Sequence, residues 1–219
     1  MKTGYFITGT DTDIGKTWVT VALMRRFRLQ GFEVAGMKPV SAGCEWRQGS
    51  FKNRDALLLQ ENASSALEYE LINPYAFVLP VSPHLACGDV DVKLDNILAA
   101  FTLLKTKADV MLVEGAGGWL SPLSLQLDNA VLAKAMQLPV IVVVGVRLGC
   151  INHARLTFQS IRQMGVNCAG WVAVEIVPDM FEFEANLDYL RSCADAPLLG
   201  VLPHLPEADF DFMAGRFSL

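Results

Sequence analysis

Short runs of apolar and β-branched residues alternate along the chain with longer stretches whose apolar positions recur every three or four residues. The first kind reads as strand and the second as amphipathic helix. Tyr5 to Thr8 is predicted as a strand and Lys16 to Gln30 as a helix, with apolar residues at Val19, Val21, Ala22, Leu23, Phe27 and Leu29 and Gly31 as its stop. A second strand is expected over Phe32 to Val40, carrying the dipeptide Lys38-Pro39 near its end, and then a helix over Asn53 to Glu61 with Asn53 as cap. The stretch NPYAFVLPVSPHLA is interrupted by Pro74, Pro80 and Pro83 and is expected to be a loop with a short turn. Helices then follow over Asp91 to Lys105, Asn129 to Gln137, Asn152 to Met164 and Phe181 to Arg191. Strands fall between them at Val110 to Val113, Val140 to Val146, Val166 to Val174 and Pro197 to Leu202, while Pro206 to Leu219 supports no single assignment. Strands apolar on both faces, alternating with helices, predict an α/β fold: a mostly parallel sheet with helices on both faces. Ligands in such sheets gather at the carboxyl ends of the strands. The unusual stretches GTDTDIGKT, KPVSAG, EGAGG and GVRLGC all follow predicted strands.

Composition narrows the class. At 219 residues and 52% hydrophobic, residues 1–219 are expected to form one domain around one core. A net charge of -5 speaks against nucleic acid as the main partner but not against a nucleotide. Five cysteines without a CxxC pair fit free thiols in a reducing cytoplasm. MKTGYFITGT has no apolar stretch fit for a signal peptide, and PVIVVVGV is too short to span a bilayer, so a soluble cytoplasmic protein is expected.

Gly9 to Thr17, GTDTDIGKT, lies between a predicted strand and a predicted helix. The usual phosphate loop is a glycine, four residues, then Gly-Lys and Ser or Thr. Here Gly15-Lys16-Thr17 is intact, but Thr10 stands where the first glycine belongs and Gly9 comes one residue early. The physics survives the shift: successive backbone N–H groups and a helix start make an anion-binding concavity. Lys16 reaches β- and γ-phosphates, and the Thr17 hydroxyl can take a place on Mg²⁺. Asp11 and Asp13 are expected to turn outward into water, where a charge about 8 Å from phosphate costs only about 0.5 kcal/mol. These features predict a Rossmann-like P-loop NTPase fold.

Three further positions carry chemistry in combination. Lys38 precedes a proline, is held extended, and is expected to project over the sheet edge near solvent. Alone it reads better as an ordinary surface lysine. Asp55, early in a helix, fits either a metal or the helix dipole. Glu114 closes an apolar strand, where an unpaired carboxylate would be costly, so it is expected to face a metal or the open edge. Gly115, Gly117 and Gly118 allow close backbone approach to a ligand.

The stretches YFITGTDTDIGKT, GMKPVSAG, NRDALLLQ, LINPYAF, LVEGAGGWLSPL, QLPVIVVVGVRLGCINHARLT, GWVA and APLLGVLPHLP, in this order, closely resemble the dethiobiotin synthetase family. The resemblance implies an ATP-dependent ligase of biotin biosynthesis. Carbon dioxide adds to an amine of 7,8-diaminononanoate (7,8-diaminopelargonate), the γ-phosphoryl group of ATP moves to the carbamate oxygen, and the neighbouring amine closes the ureido ring. By the same resemblance, Lys16 and Lys38 would stabilise phosphoryl and carbamate charge, and Thr17, Asp55 and Glu114 would hold Mg²⁺. The nucleotide would lie against Asp13, Ile14, Gly15, Lys16, Thr17 and Trp18, then Asp55, Glu114, Gly115, Ala116 and Gly117. Its base would lie near Val174, Glu175, Pro203, His204 and Leu205. Thr12, Lys38 and Ser41 would face the substrate. The family binds the substrate carboxylate across a homodimer interface at a helix start of the neighbouring subunit, here Gly149, Cys150, Ile151 and Asn152.

Two positions depart from the family pattern. The family serine falls at Ala42, with Ser41 one place earlier, and the sequence leaves open whether Ser41 replaces it. After GWVA the family commonly has Asn-Asp, whereas this chain has Val174-Glu175, and valine offers no hydrogen bond to adenine. Looser base selection is therefore expected. His153 reads as packing or a hydrogen-bond partner, and no pair among His84, His153 and His204 has zinc-ligand spacing. Rival readings are an ATP-driven switch of the partitioning type and an amide-forming synthetase of the cobalamin type. The first usually has a lysine near the start of the phosphate loop, and the second often carries a glutaminase domain, for which this chain has no room.

Overall fold

The computed structural model describes residues 3–47 and 49–218. The chain runs β1 (Thr3–Gly9), α1 (Lys16–Leu29), β2 (Val34–Met37), β3 (Val40–Ser41), β4 (Glu45–Arg47), β5 (Ser50–Lys52), α2 (Arg54–Glu61), α3 (Tyr69–Ile72), β6 (Tyr75–Ala76), α4 (Pro83–Ala86) and α5 (Leu94–Thr106). It continues through β7 (Val110–Glu114), α6 (Asn129–Ala135), β8 (Val140–Val146), α7 (Cys150–Gln163), β9 (Cys168–Glu175), α8 (Phe183–Cys193), β10 (Leu198–Leu202) and α9 (Phe210–Ala214).

Six strands form one sheet in the order β10-β9-β8-β1-β7-β2, and every neighbouring pair is parallel. Parallel pairing demands crossovers, which put helices over the faces. Every residue of β7 and β8 is accordingly buried, including Ile141, Val143 and Val144 with no exposed surface. Each such side chain contributes roughly 1.5–3 kcal/mol by leaving water. The winding direction reverses at β1, which pairs with β7 on one side and β8 on the other. The crevice outside the carboxyl ends of these strands is where such sheets bind ligands. The carboxyl ends of β1, β2, β7 and β9 are Gly9, Met37, Glu114 and Glu175.

The expected α/β architecture is present, with local differences. The strand expected to reach Val40 ends at Met37, because Pro39 has no N–H to continue the ladder. Val40 and Ser41 pair instead with Tyr75 and Ala76 in a separate two-stranded sheet, so the proline-broken stretch contains a strand and a helical turn. A small antiparallel hairpin, β4 with β5, was not visible in the sequence; Trp46 packs edge-on against Phe51 at 5.0 Å between ring centres. The helix expected from Asn152 begins at Cys150. Within the tail, α9 lies against α1, with Arg25 bonded to Asp211 at 2.8 Å; Leu219 is outside the described residues. No helix among the described residues is long and apolar enough to cross a membrane.

Candidate active site

The loop between β1 and α1 turns through two left-handed residues. Asp13 has φ 54° and Gly15, which precedes α1, has φ 85°. Aspartate tolerates this region better than most side chains, and glycine adopts it freely. Gly9 also has a steric role: a Cβ there would lie 2.7 Å from Ile14 Cδ1 and 3.0 Å from Lys16 Cδ. The buried stem of Lys16 therefore folds back over Gly9, and its Nζ donates to the Asp11 carbonyl at 2.6 Å. Burial, then the charge of Lys38, pushes the Lys16 ammonium down to about 8. Asp13 is exposed as expected, but Asp11 is not turned freely to water. Its carboxylate accepts from the guanidinium of Arg147, just beyond β8.

Lys38 departs most from its expected setting. It is only 6% exposed, and its Nζ donates to Glu114 Oε1 at 2.5 Å and to Asp55 Oδ2 at 3.2 Å. Burial opposes its charge, but the two carboxylates outweigh that and hold it above the ordinary lysine range. Asp55 sits in the first turn of α2, which Asn53 caps by accepting from the N–H groups of Asp55 and Ala56. Glu114 is fully buried and accepts from Thr17 Oγ1 at 2.8 Å. Rather than facing an open edge, it is the point at which α1 and Lys38 meet.

Glu114 Oε2 is buried without a protein partner, a costly arrangement that a cation would relieve. Thr17, Asp55 and Glu114 offer hard oxygen donors, and no group of three or more His, Cys, Asp or Glu placed to hold a metal ion occurs among the described residues. Two carboxylates and a hydroxyl fit Mg²⁺ completed by phosphate better than a metal caged by protein alone.

Three cavities meet here. One of about 330 Å³ is lined by Asp13, Ile14, Gly15, Lys16, Thr17 and Trp18, together with Lys38, Asp55, Glu114 and Gly117. A larger one of about 510 Å³ shares Thr12, Asp13, Lys38, Asp55 and Gly117 with it and extends to Ser41, Ala42, Pro80–Pro83 and Ala116. A third, of about 220 Å³, shares Asp13, Gly15 and Trp18 with the first and is bounded by Val174, Glu175, Pro203, His204, Leu205 and Met213. There Glu175 Oε2 accepts from the His204 N–H at 3.2 Å, tying the ends of β9 and β10 together.

Ser41 lines the larger cavity, yet its hydroxyl donates to Asn73 Oδ1 at 2.8 Å and is buried. Gly115 lines none of these three cavities, although Gly117 lines two of them. Gly149, Cys150, Ile151 and Asn152 form the start of α7 and line none of the three. Residues that periodicity did not single out complete the site. Arg147 holds Asp11, and the fully buried Asn129 holds the glycine loop after β7 by donating to Ala116 O and Gly118 O, both at 2.7 Å. Arg147 had one sequence signal, its place in GVRLGC, and Asn129 read only as a helix start.

A family model described as an AAA domain matches residues 3–210. The chain is 48% identical over 207 residues, 94% of its length and 92% of the relative's, to an ATP-dependent dethiobiotin synthetase BioD of Xanthomonas euvesicatoria pv. vesicatoria (strain 85-10). The chain belongs to the dethiobiotin synthetase family. A second member, from Xylella fastidiosa (strain 9a5c), is 46% identical over 92% of this chain and 90% of its own. Among solved structures, the MinC:MinD cell division protein complex of Aquifex aeolicus matches with a TM-score of 0.60 at 15% identity, covering 97% of this chain and 86% of that one. At that identity the likeness shows the fold alone, the P-loop NTPase fold expected from the loop. Against the rival switch and cobalamin-type readings, the 48% identity to a dethiobiotin synthetase over 94% of the chain decides the family.

Proposed function

We propose that the chain is an ATP- and Mg²⁺-dependent ligase of biotin biosynthesis that makes dethiobiotin from 7,8-diaminononanoate and CO2 through a phosphorylated carbamate. The observation carrying this reading is that Lys38, paired with Asp55 and Glu114, lines both the phosphate-loop cavity and the larger neighbouring one. One ammonium thus borders both a nucleotide's phosphates and a second substrate.

The backbone N–H groups of residues 9–17 would cradle the phosphates, with Lys16 on the β- and γ-oxygens. Thr17, Asp55 and Glu114 would hold Mg²⁺, which when bound offsets phosphate charge. An uncharged amine of the substrate adds to CO2 and loses a proton, giving a carbamate. A carbamate oxygen takes the γ-phosphoryl group, leaving ADP. The neighbouring amine then attacks the carbamate carbon, phosphate departs, a proton is released and a five-membered ring forms. Lys38 would offset charge first on the carbamate and then on the phosphoryl group transferred to it, and holding both amines in one cavity makes closure an oriented intramolecular step.

The apolar wall of Pro80, Val81 and Pro83 suits the substrate's methylene chain. Its carboxylate would be met by Gly149–Asn152 of a second copy, since in this copy those residues lie outside the cavities. Leu148 and Leu156, both exposed, flank that helix start and give a homodimer apolar surface to cover. On this reading the protein would be a soluble cytoplasmic homodimer with small-molecule partners. Purified protein given diaminononanoate, bicarbonate, Mg²⁺ and ATP should yield the cyclic urea by mass spectrometry. ATP hydrolysis that needs neither diamine nor bicarbonate would instead indicate a switch.

A further inference from the structure

The motif LINPYAF, residues 71–77, has no part in the chemistry above, yet it contains a buried amide whose hydrogen bonds reach two sides of the site. Asn73 is 3% exposed. Its Oδ1 accepts from Ser41 Oγ at 2.8 Å and from the Tyr69 hydroxyl at 2.9 Å, while its Nδ2 donates to Lys38 O at 2.6 Å and to Tyr75 O at 3.2 Å. All four places on the amide are filled, and only this orientation matches donors to acceptors.

The bond to Lys38 falls where the main sheet gives no support. β2 stops at Met37 and Pro39 cannot donate, so both main-chain groups of Lys38 depend on residues 72 and 73: its N–H donates to Ile72 O at 2.8 Å and its carbonyl accepts from Asn73. The same network reaches α2. The Tyr69 hydroxyl accepts from the Asn53 N–H at 2.7 Å, and Asn53 caps the helix bearing Asp55. Burial keeps that phenol protonated, pushing it up to about 12, so it remains a donor to Asn73.

We infer that Asn73 is a positioning residue that, together with Tyr69 and Asn53, fixes the Lys38 ammonium relative to Asp55 across the phosphate-transfer cavity. This rests on the ligase reading. A mispositioned ammonium loses charge stabilisation needed as the phosphoryl group moves, whereas the loop over residues 9–17 touches none of Asn73, Tyr69 and Asn53 and meets Lys38 only through Glu114, which accepts from both Thr17 and Lys38. Turnover should therefore fall while nucleotide binding stays. Outer partners of this kind typically carry about 10–100-fold in activity.

The test compares kcat for dethiobiotin formation, ADP affinity and thermal midpoint in wild type, Asn73→Ala and Tyr69→Phe. Expected is a loss of about 10–100-fold in kcat for Asn73→Ala, a smaller loss for Tyr69→Phe, and ADP affinity within about twofold in both. A folded Asn73→Ala with unchanged kcat and only a lower melting point overturns the assignment, as does ADP affinity that falls in step with kcat. If Asn73→Ala does not fold, Tyr69→Phe decides alone, and unchanged turnover overturns it. Wild type without product would overturn the ligase reading; product from wild type and undiminished turnover in the variants would overturn only the role of Asn73.

Discussion

Lys38 Nζ lies 2.5 Å from Glu114 Oε1, and both side chains are buried. Sequence reasoning expects Lys38→Ala to spare the fold, because a strand end beside solvent tolerates truncation. The observed pair reverses that expectation. Removing one member of a buried pair leaves the other uncompensated, at about 3–5 kcal/mol. Lys38→Ala should abolish ring closure and also lower stability by this amount. The double variant Lys38→Met with Glu114→Gln should regain much of the stability but none of the activity, as urea denaturation and product assays would show.

Lys16 makes phosphate binding sensitive to pH. In the free protein its ammonium is lowered to about 8 by burial and then by Lys38. A bound phosphate favours the charged form, so binding above that pH requires proton uptake. Affinity for ADP without Mg²⁺ should fall as pH rises through about 8, by up to about tenfold per unit. Calorimetry in buffers of different ionisation enthalpy would register the proton. The same lowered value means the unfolded chain binds more protons between about 8 and the ordinary 10.5, so stability should rise with pH across that window.

Base selection should be loose. The cavity bounded by Val174, Glu175 and His204 contains no side-chain amide to read adenine. CTP and GTP should support turnover within about tenfold of ATP, since one discriminating hydrogen bond contributes about 1.4 kcal/mol. Steady-state rates with the four nucleoside triphosphates would measure this. Strong preference for ATP would shift base reading to main-chain groups near Pro203–Leu205.

Asn129 holds both sides of the turn after β7, accepting from Ala116 N and donating to Ala116 O and Gly118 O. Asn129→Ala should cost about 1–3 kcal/mol for the buried groups left unpaired. Because Gly117 lines both cavities proposed to hold phosphate and substrate, KM for both substrates should rise as well. Thermal denaturation and initial rates would check the two effects separately.

The readability of this chain followed the range of the forces involved. Val140 to Val146 was delimited to the residue, because a strand buried on both faces is written as an unbroken apolar run. The cap at Asn53 was legible because its bonds are local. The β4–β5 hairpin was not, since none of its residues is buried and they show no alternation toward a core. Nor was the pairing of Val40–Ser41 with Tyr75–Ala76, which joins residues far apart in sequence. At the site, Lys16, Thr17, Lys38, Asp55 and Glu114 converge as expected. The partners of Lys38 and the links made by Asn73, Asn129 and Arg147 depend on folding and leave no periodic trace.

Met213, carried by α9, borders the same cavity as Gly15 and Trp18, so residues from opposite ends of the chain enclose one chamber. An environment-sensitive dye attached near position 215 would therefore sense occupancy of a loop some two hundred residues earlier. Deleting the segment after residue 206 would take Met213 out of that wall and open the chamber to bulk solvent, with residues 9–17 left in place.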